Sequence, residues 1–272
     1  MAAEHRSTGL RHDTAILRIE SRKRVRGSVV LVAVFAVLAA LYFSMFPDLE
    51  AEMEQFEEAF PEFMFELFGI EELHTIEGFI AAEIYSFFWV LLIGIYFAYL
   101  GSGLIARDID NRKMDLTLSN PISRKSVLLQ KLASLWVPLV TLNVSVPVIV
   151  YVGALVIGES FNPVALALVH LLSIPYLLVC AGIGLVASVV VDRVRTARAT
   201  ALGLVFLLWL VEAVSRLDPE YEWVGAIGPS RYYDETAILV HEEYAFVDAG
   251  LLLVAFLALL GVALFVFTRR DI

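Results

Sequence analysis

The sequence predicts an all-α polytopic membrane protein with six transmembrane helices. Of its 272 residues, 59% are hydrophobic, and the mean hydropathy is +0.77. Because soluble domains contain only about 45–50% apolar residues, the expected solvent is a lipid bilayer. Six apolar runs are each long enough to cross a hydrocarbon core, which needs roughly 20 helical residues. They lie at about 28–46, 79–106, 132–157, 163–191, 197–217 and 245–268.

The first 27 residues form a basic segment before the first span. This segment contains seven Lys and Arg residues, and Ala15, Ile16 and Ile19 place an apolar strip along one side of a predicted helix. Such a helix lies at the membrane interface with its arginines toward lipid headgroups. The alternative is a plain polybasic topology signal. We therefore divide the chain into a cytoplasmic N-terminal amphipathic helix, 1–27, and a six-helix transmembrane domain, 28–272.

The basic residues predict that both termini are cytoplasmic. Eighteen of the twenty Lys and Arg residues precede span one, follow span six, or fall between spans two and three or four and five. Only Arg216 and Arg231 fall in the opposite loops, and cytoplasmic loops are the ones enriched in basic residues. The first apolar run lacks a small-residue cleavage pattern, so we expect it to be retained as a span. The expected location is the plasma membrane.

The first outer loop, 47–78, is strongly acidic, with eleven acids and no Lys or Arg. Its apolar residues recur at helical spacings: Met53, Phe56, Phe60 and Leu67. This pattern predicts two short amphipathic helices on the outer leaflet, with the first span ending at Pro47. A metal site made from the carboxylates with Met53, Met64 and His74 is an alternative. A solvated acidic face is the favoured interpretation, and we predict no metal site.

Small residues and prolines within the spans predict close packing and kinks. Span two ends in a small-residue patch of Gly94, Ala98, Gly101 and Gly103, whose spacing allows close approach of another helix. Spans three and four carry internal prolines, and span four also carries a face of small residues. Such features let helices pack and shift against one another.

Four polar residues in the spans are candidates for a transport path or for polar contacts inside the bundle: Glu83, Asn143, His170 and Glu212. Ionisable residues within a membrane usually mark function. However, Glu83 lies close to the outer interface, and a neutral His170 can be hydrogen-bonded within the bundle. Glu212 precedes Arg216 by four residues, the favourable order for a helical ion pair. These residues do not form a convincing proton relay.

The sequence offers no motif for independent chemistry. It contains no phosphate-binding loop, no zinc-protease motif, no paired cysteines and no serine-nucleophile elbow. We therefore predict that this chain is not an enzyme and has no cofactor of its own. The net charge of −10 argues against nucleic acid as a partner, because phosphate binding requires a basic face.

The segment 107–131 is a charged loop between the second and third spans. It carries six basic residues, and apolar residues at helical spacing precede Pro121, which ends that turn. Ser123 is placed to cap the next helix, which is expected to lie across the membrane face. The composition therefore predicts a cytoplasmic pivot.

This loop resembles the one after the second transmembrane helix in permease subunits of ABC-2 type transporters. The matching residues are Arg107-Asp108, Leu116-Thr117-Leu118, Pro121-Ile122-Ser123-Arg124 and Lys131. One departure is Lys113-Met114-Asp115, where the family often has a Gly-Thr pair. Residues 227–234 also resemble the stretch between spans five and six in the same family, which often forms short re-entrant helices.

The resemblance implies an export permease that works as a homo- or heterodimer with two separate ATP-binding subunits. The ATP is expected to bind to those subunits. It also implies that the N-terminal helix and the loop contact those subunits. The residues expected to couple the two proteins are Asp108, Asp110, Asp115, Leu116, Pro121, Arg124 and Lys131. An ion-driven secondary transporter is the chief alternative, and a non-transporting membrane scaffold or intramembrane enzyme is another. The transported substrate is not indicated.

Overall fold

The computed structural model describes residues 14–59, 61–68 and 71–270. The helices of this part are α1 (Ala15–Ala59), α2 (Glu62–Phe68), α3 (Ile76–Ser102), α4 (Ala106–Asp110), α5 (Lys113–Leu118), α6 (Arg124–Ala133), α7 (Trp136–Ile157), α8 (Pro163–Val190), α9 (Val194–Ser215), α10 (Glu222–Gly225), α11 (Glu235–Leu239) and α12 (Phe246–Arg269). A short 3₁₀ helix, Pro229–Tyr232, precedes α11. Six segments are long and apolar enough to cross a membrane: α1, α3, α6 with α7, α8, α9 and α12. The prediction of an all-α six-span protein is confirmed.

The bundle is centred on α3 and α8. In each of these two helices, 61% of the most apolar window is buried, against 22–28% in the other four spans. Helix α8 contacts α3, α7, α9 and α12, whereas α1 packs mainly along α7. The four peripheral spans therefore direct most of their apolar surface away from the protein, as expected where the solvent is lipid and not water.

Close packing between α3 and α8 depends on glycine. A Cβ atom added at Gly101 would clash with the carbonyl oxygen of Ala181, and one added at Gly184 would clash with that of Ala98. The two helices thus meet backbone to backbone at this level. The small-residue patch predicted at the end of span two is confirmed as a helix contact.

Helix α1 is longer than the first span alone. It continues from the basic residues through the apolar run and past Pro47 to Ala59, so the predicted helix end at Pro47 is wrong. The residues after Pro47 are good helix formers, and this propensity outweighs the one backbone hydrogen bond that a proline removes. Residues 1–13 and Phe60 lie outside the described residues. Leu67 lies in the separate short helix α2.

The second span ends at Ser102, four residues before the predicted end at Ala106. Leu104, Ile105 and Ala106 are apolar because they are buried in the turn that follows. The Ser188 hydroxyl of α8 accepts hydrogen bonds from the backbone N–H groups of Ile105 and Ala106, both at 2.9 Å. The Ser188 side chain thus provides an acceptor for two backbone N–H groups at the start of α4, which have no partner within that helix.

The N-terminal half of α3 is wound as a π-helix over Ala81–Ile93. The wider winding brings Tyr85, Ser86 and Trp89 to the buried side of the helix. Stretches of π-helix are rare and often accompany functional sites. The polar contacts of this stretch are described below.

Candidate functional site

The loop between the second and third spans folds as three short helices, α4, α5 and the start of α6. Arg112 separates α4 from α5 because its backbone is left-handed, with φ of 54°. Ser123 caps α6, and its side chain accepts a hydrogen bond from the backbone N–H of Ser126 at 3.1 Å. The predicted capping role of Ser123 is confirmed.

A buried charge cluster fixes this loop to the bundle. Lys131 is only 4% exposed, and its Nζ lies 2.5 Å from Asp108 Oδ2 and 3.8 Å from Glu20 Oε1. These three residues belong to α6, α4 and α1. A buried ammonium is tolerated only when it is paired, and removal of either partner of a buried pair typically costs about 3–5 kcal/mol. The cluster therefore connects three elements near one end of the bundle.

Two further residues of the loop bind helix ends. The Arg124 guanidinium donates to the carbonyl oxygens of Phe267, at 3.2 Å, and of Arg270, so it caps the C-terminus of α12. A cation at this position also interacts favourably with the helix dipole. Asp110 Oδ2 accepts a hydrogen bond from the backbone N–H of Val194, at the start of α9.

The remaining part of the loop forms an exposed loop face, which consists of Lys113, Asp115, Leu116, Pro121 and Lys125. All five residues are exposed, and Leu116 is 72% exposed. The neighbouring Met114 is fully buried and anchors α5 against the bundle. Leu116 is thus the one large apolar side chain among these five residues, and it points outward among charges on a support fixed by Met114.

The structure thus divides the seven predicted coupling residues into two groups. Asp115, Leu116 and Pro121 lie on the exposed loop face. The other four have partners inside the molecule and hold the loop in place: Asp108, Asp110, Arg124 and Lys131. Sequence spacing placed all seven in one loop but could not separate these two roles.

His170 lies at the centre of a buried aromatic cluster. Its Nε2 is 2.9 Å from the Tyr85 hydroxyl, and its ring meets the Trp89 ring edge-on with centroids 4.5 Å apart. Asn143 joins α7 to α8, since its Oδ1 accepts a hydrogen bond from the Ser173 hydroxyl at 3.1 Å. Hydrogen bonds of this kind between polar side chains commonly hold membrane-spanning helices together.

Glu212 and Glu83 have local partners. Glu212 is 2% exposed, and its Oε1 lies 2.6 Å from Arg216 Nε, which confirms the ion pair suggested by their spacing. Glu83 is half-buried, and its side chain makes a hydrogen bond with Tyr42 of α1. Among the described residues, no hydrogen bond or ion pair links Glu83, His170 and Glu212 to one another. They therefore do not form a continuous relay there.

The sequence analysis missed Glu235, which lies in α11 between the last two spans. It is 8% exposed, and its Oε1 accepts a hydrogen bond from the Ser86 hydroxyl at 2.5 Å. Burial, reinforced by the neighbouring Asp234, raises the pKa of Glu235 to about 7. In the sequence it stands among polar loop residues and so looks solvated. The only signal was the preceding Asp234, which caps α11 by accepting from the Ala237 N–H.

The acidic loop between the first two spans contacts the loop between the last two spans through an exposed pair. His241 Nε2 lies 2.6 Å from Glu71 Oε2, and this hydrogen bond raises the pKa of His241. In the described ranges, no group of three or more His, Cys, Asp or Glu side chains is arranged to hold a metal ion.

Comparison with known proteins identifies a family whose model covers both the 107–131 loop and most of the spans. A family model described as ABC-2 family transporter protein matches residues 14–217, which is three quarters of the chain. This range includes the first five spans and the whole 107–131 loop. No curated protein and no solved structure matches the chain significantly. The chain therefore belongs to the ABC-2 family of transporter proteins.

Proposed function

We propose that this multi-pass membrane protein, as the permease subunit of an ABC transporter, exports its substrate by coupling to a separate ATP-binding subunit through the 107–131 loop. The observation that carries the proposal is the exposed loop face. It holds Leu116 outward beside Asp115 and Pro121, while the rest of the loop is tied to the bundle.

The internal contacts of the loop support a role in transmitting movement. Lys131, Asp108 and Glu20 join α6, α4 and α1, and Arg124 joins α6 to the end of α12. A rigid-body movement of a partner bound at Leu116 would therefore be transmitted to the peripheral spans α1 and α12 through packed contacts, without passing through flexible chain.

The proposed assembly contains two permease copies, as a homo- or heterodimer, and two ATP-binding subunits. ATP binds to the partner, since the sequence has no phosphate loop of its own. In this assembly the loop and both termini face the cytoplasm, and the protein lies in the plasma membrane. The excess of basic residues at that end of the bundle supports this orientation.

Co-purification tests the coupling role of the exposed loop face. The tagged protein is co-expressed with the ATP-binding subunit, purified in mild detergent, and the amount of bound subunit is measured. We expect Asp115→Arg and Leu116→Asp each to reduce the bound subunit at least about fivefold, because a loss of roughly 1 kcal/mol or more at an interface hot spot gives that ratio.

Glu220→Arg is the matched control, since Glu220 is also exposed but lies in the loop between the last two spans. It should leave the bound subunit unchanged. If all three variants retain the ATP-binding subunit at the wild-type level while remaining monodisperse, the exposed loop face is not the coupling surface. Ion-driven uptake by proteoliposomes would then identify a secondary transporter.

A further inference from the structure

A cationic cavity lies between the start of α1 and the end of α3, and it shares Lys113 with the exposed loop face. Its volume is about 460 Å³. Its charged lining residues are Glu20, Lys23, Arg24, Arg107, Asp108, Lys113 and Lys131. Five cations therefore face two carboxylates, and the cavity has an excess of three positive charges.

The two carboxylates are already engaged. Glu20 lies 2.7 Å from Lys23 Nζ, and Asp108 lies 2.5 Å from Lys131 Nζ. Arg24, Arg107 and Lys113 make no ion pair within the described part of the chain. The excess charge of the cavity belongs to these three side chains.

Arg24 is held in the cavity wall and is not free to turn into solvent. Its Nε donates to the Ser134 hydroxyl at 2.8 Å, and its guanidinium group is attracted by the Glu20 carboxylate and, more weakly, repelled by the Arg107 guanidinium. Because Glu20 is itself paired with Lys23, the cavity wall keeps a net positive charge that a bound anion would offset. Guanidinium groups have the fork geometry that suits phosphate.

The cavity lies where a lipid headgroup would meet hydrocarbon. The basic residues of α1 end at Arg26, and its apolar run begins at Ser28. Beyond the cavity, α1 exposes Val30, Val34 and Val37 to its surroundings. Tyr96 and Tyr99 line the cavity from α3, and tyrosine is enriched at membrane interfaces.

We propose that this cavity binds the phosphate of an anionic phospholipid, with Arg24 and Arg107 as the ligands of the phosphate and Lys113 at the rim. The acyl chains would lie along the exposed valines of α1. The inference goes beyond the coupling role and depends neither on the direction of transport nor on the ATP-binding partner.

Native mass spectrometry of the full-length protein in mild detergent tests this site. The protein is titrated with dioleoyl phosphatidylglycerol, with dioleoyl phosphatidylcholine and with inorganic phosphate, in separate arms. We expect phosphatidylglycerol to bind, phosphatidylcholine to bind more weakly, and Arg24→Gln or Arg107→Gln to weaken phosphatidylglycerol binding about tenfold or more, as expected for a charge-assisted hydrogen bond.

Arg26→Gln is the matched control, because Arg26 is exposed on the same helix but does not line the cavity. Its affinity for phosphatidylglycerol should stay within about twofold of the wild type. Lys113→Gln provides a second cavity variant at an exposed position, where loss of the side chain does not affect packing. It should also weaken binding.

Three results would overturn the proposal. The first is equal binding of phosphatidylglycerol and phosphatidylcholine. The second is an equal effect of Arg26→Gln and the cavity variants, which would indicate only general electrostatic attraction. The third is that inorganic phosphate alone binds with the expected dependence on Arg24, Arg107 and Lys113, which would identify a soluble anion as the ligand.

Discussion

At the scale of single residues, burial separates the side chains that hold the 107–131 loop to the bundle from those that are exposed to a partner. Lys131 and Arg124 resemble ordinary loop cations in the sequence, yet both have partners inside the molecule. Asp115 and Leu116 lie on the same loop and are exposed. The sequence could therefore predict the loop and its residue types. It could not predict their roles, because these depend on contacts with α1 and α12, which are distant along the chain.

Glu235 gives a pH dependence at the residue scale. Its environment contains Ser86, Asp234, Glu212 and Arg216. Because the folded-state pKa of Glu235 is raised from 4.5 to about 7, the folded protein binds this proton more tightly than the unfolded chain does. Its contribution to stability is therefore fully present below about pH 4.5 and is lost as the pH rises through about 7.

Thermal unfolding in detergent, measured from pH 5 to pH 8, tests this prediction. The wild type should lose stability across this range by an amount on the order of 3 kcal/mol from this group. Glu235→Gln keeps the shape of the side chain but cannot ionise, so this part of the pH dependence should disappear. An unchanged pH profile in Glu235→Gln would show that Glu235 does not titrate as described.

At the scale of elements, the spans were predictable and their ends were not. Each predicted apolar run corresponds to a helix, because about 20 apolar residues suffice to specify a span. The membrane-spanning part of α1 ends at Asp48, close to the predicted end, but the helix itself continues through Pro47 to Ala59. The predicted end of the second span lies four residues too far along the chain. Leu104, Ile105 and Ala106 are apolar because they are buried after the end of α3, and not because they cross the membrane. Hydropathy measures burial and lipid exposure alike, so it cannot distinguish these cases.

The contact between α3 and α8 gives a prediction at the element scale. Gly184→Ala should destabilise the protein by about 1–3 kcal/mol, because the new Cβ meets the backbone carbonyl of Ala98, which cannot move without moving a helix. The midpoint of thermal unfolding in detergent measures the effect.

Gly203→Ala is the control for the same substitution in α9, where a new Cβ meets nothing within 4 Å. It should be neutral or stabilise the protein by up to about 1 kcal/mol, because alanine favours the helix. Equal effects of the two substitutions would show that the close contact of α3 and α8 contributes nothing.

At the scale of the whole molecule, the two ends of the bundle differ in charge. The end with the 107–131 loop carries most of the basic residues, and the other end carries the acidic loop and the buried Glu235. This asymmetry was visible in the sequence and predicts the orientation through the positive-inside rule. The shared cavity that Arg24 and Arg107 line was not visible, because it depends on how α1 packs beside the end of α3.

Site-specific cross-linking tests the coupling surface most directly. Cys180 is the only cysteine and is buried, so a cysteine introduced at Leu116 would be the reactive one. Leu116→Cys is treated with a short cross-linker that reacts with a thiol at one end and a lysine amine at the other, in membranes that contain the ATP-binding subunit. It should give a product of the two proteins, and Tyr221→Cys in the opposite loop should not. Cross-linking from Tyr221→Cys with none from Leu116→Cys would contradict the proposed coupling surface.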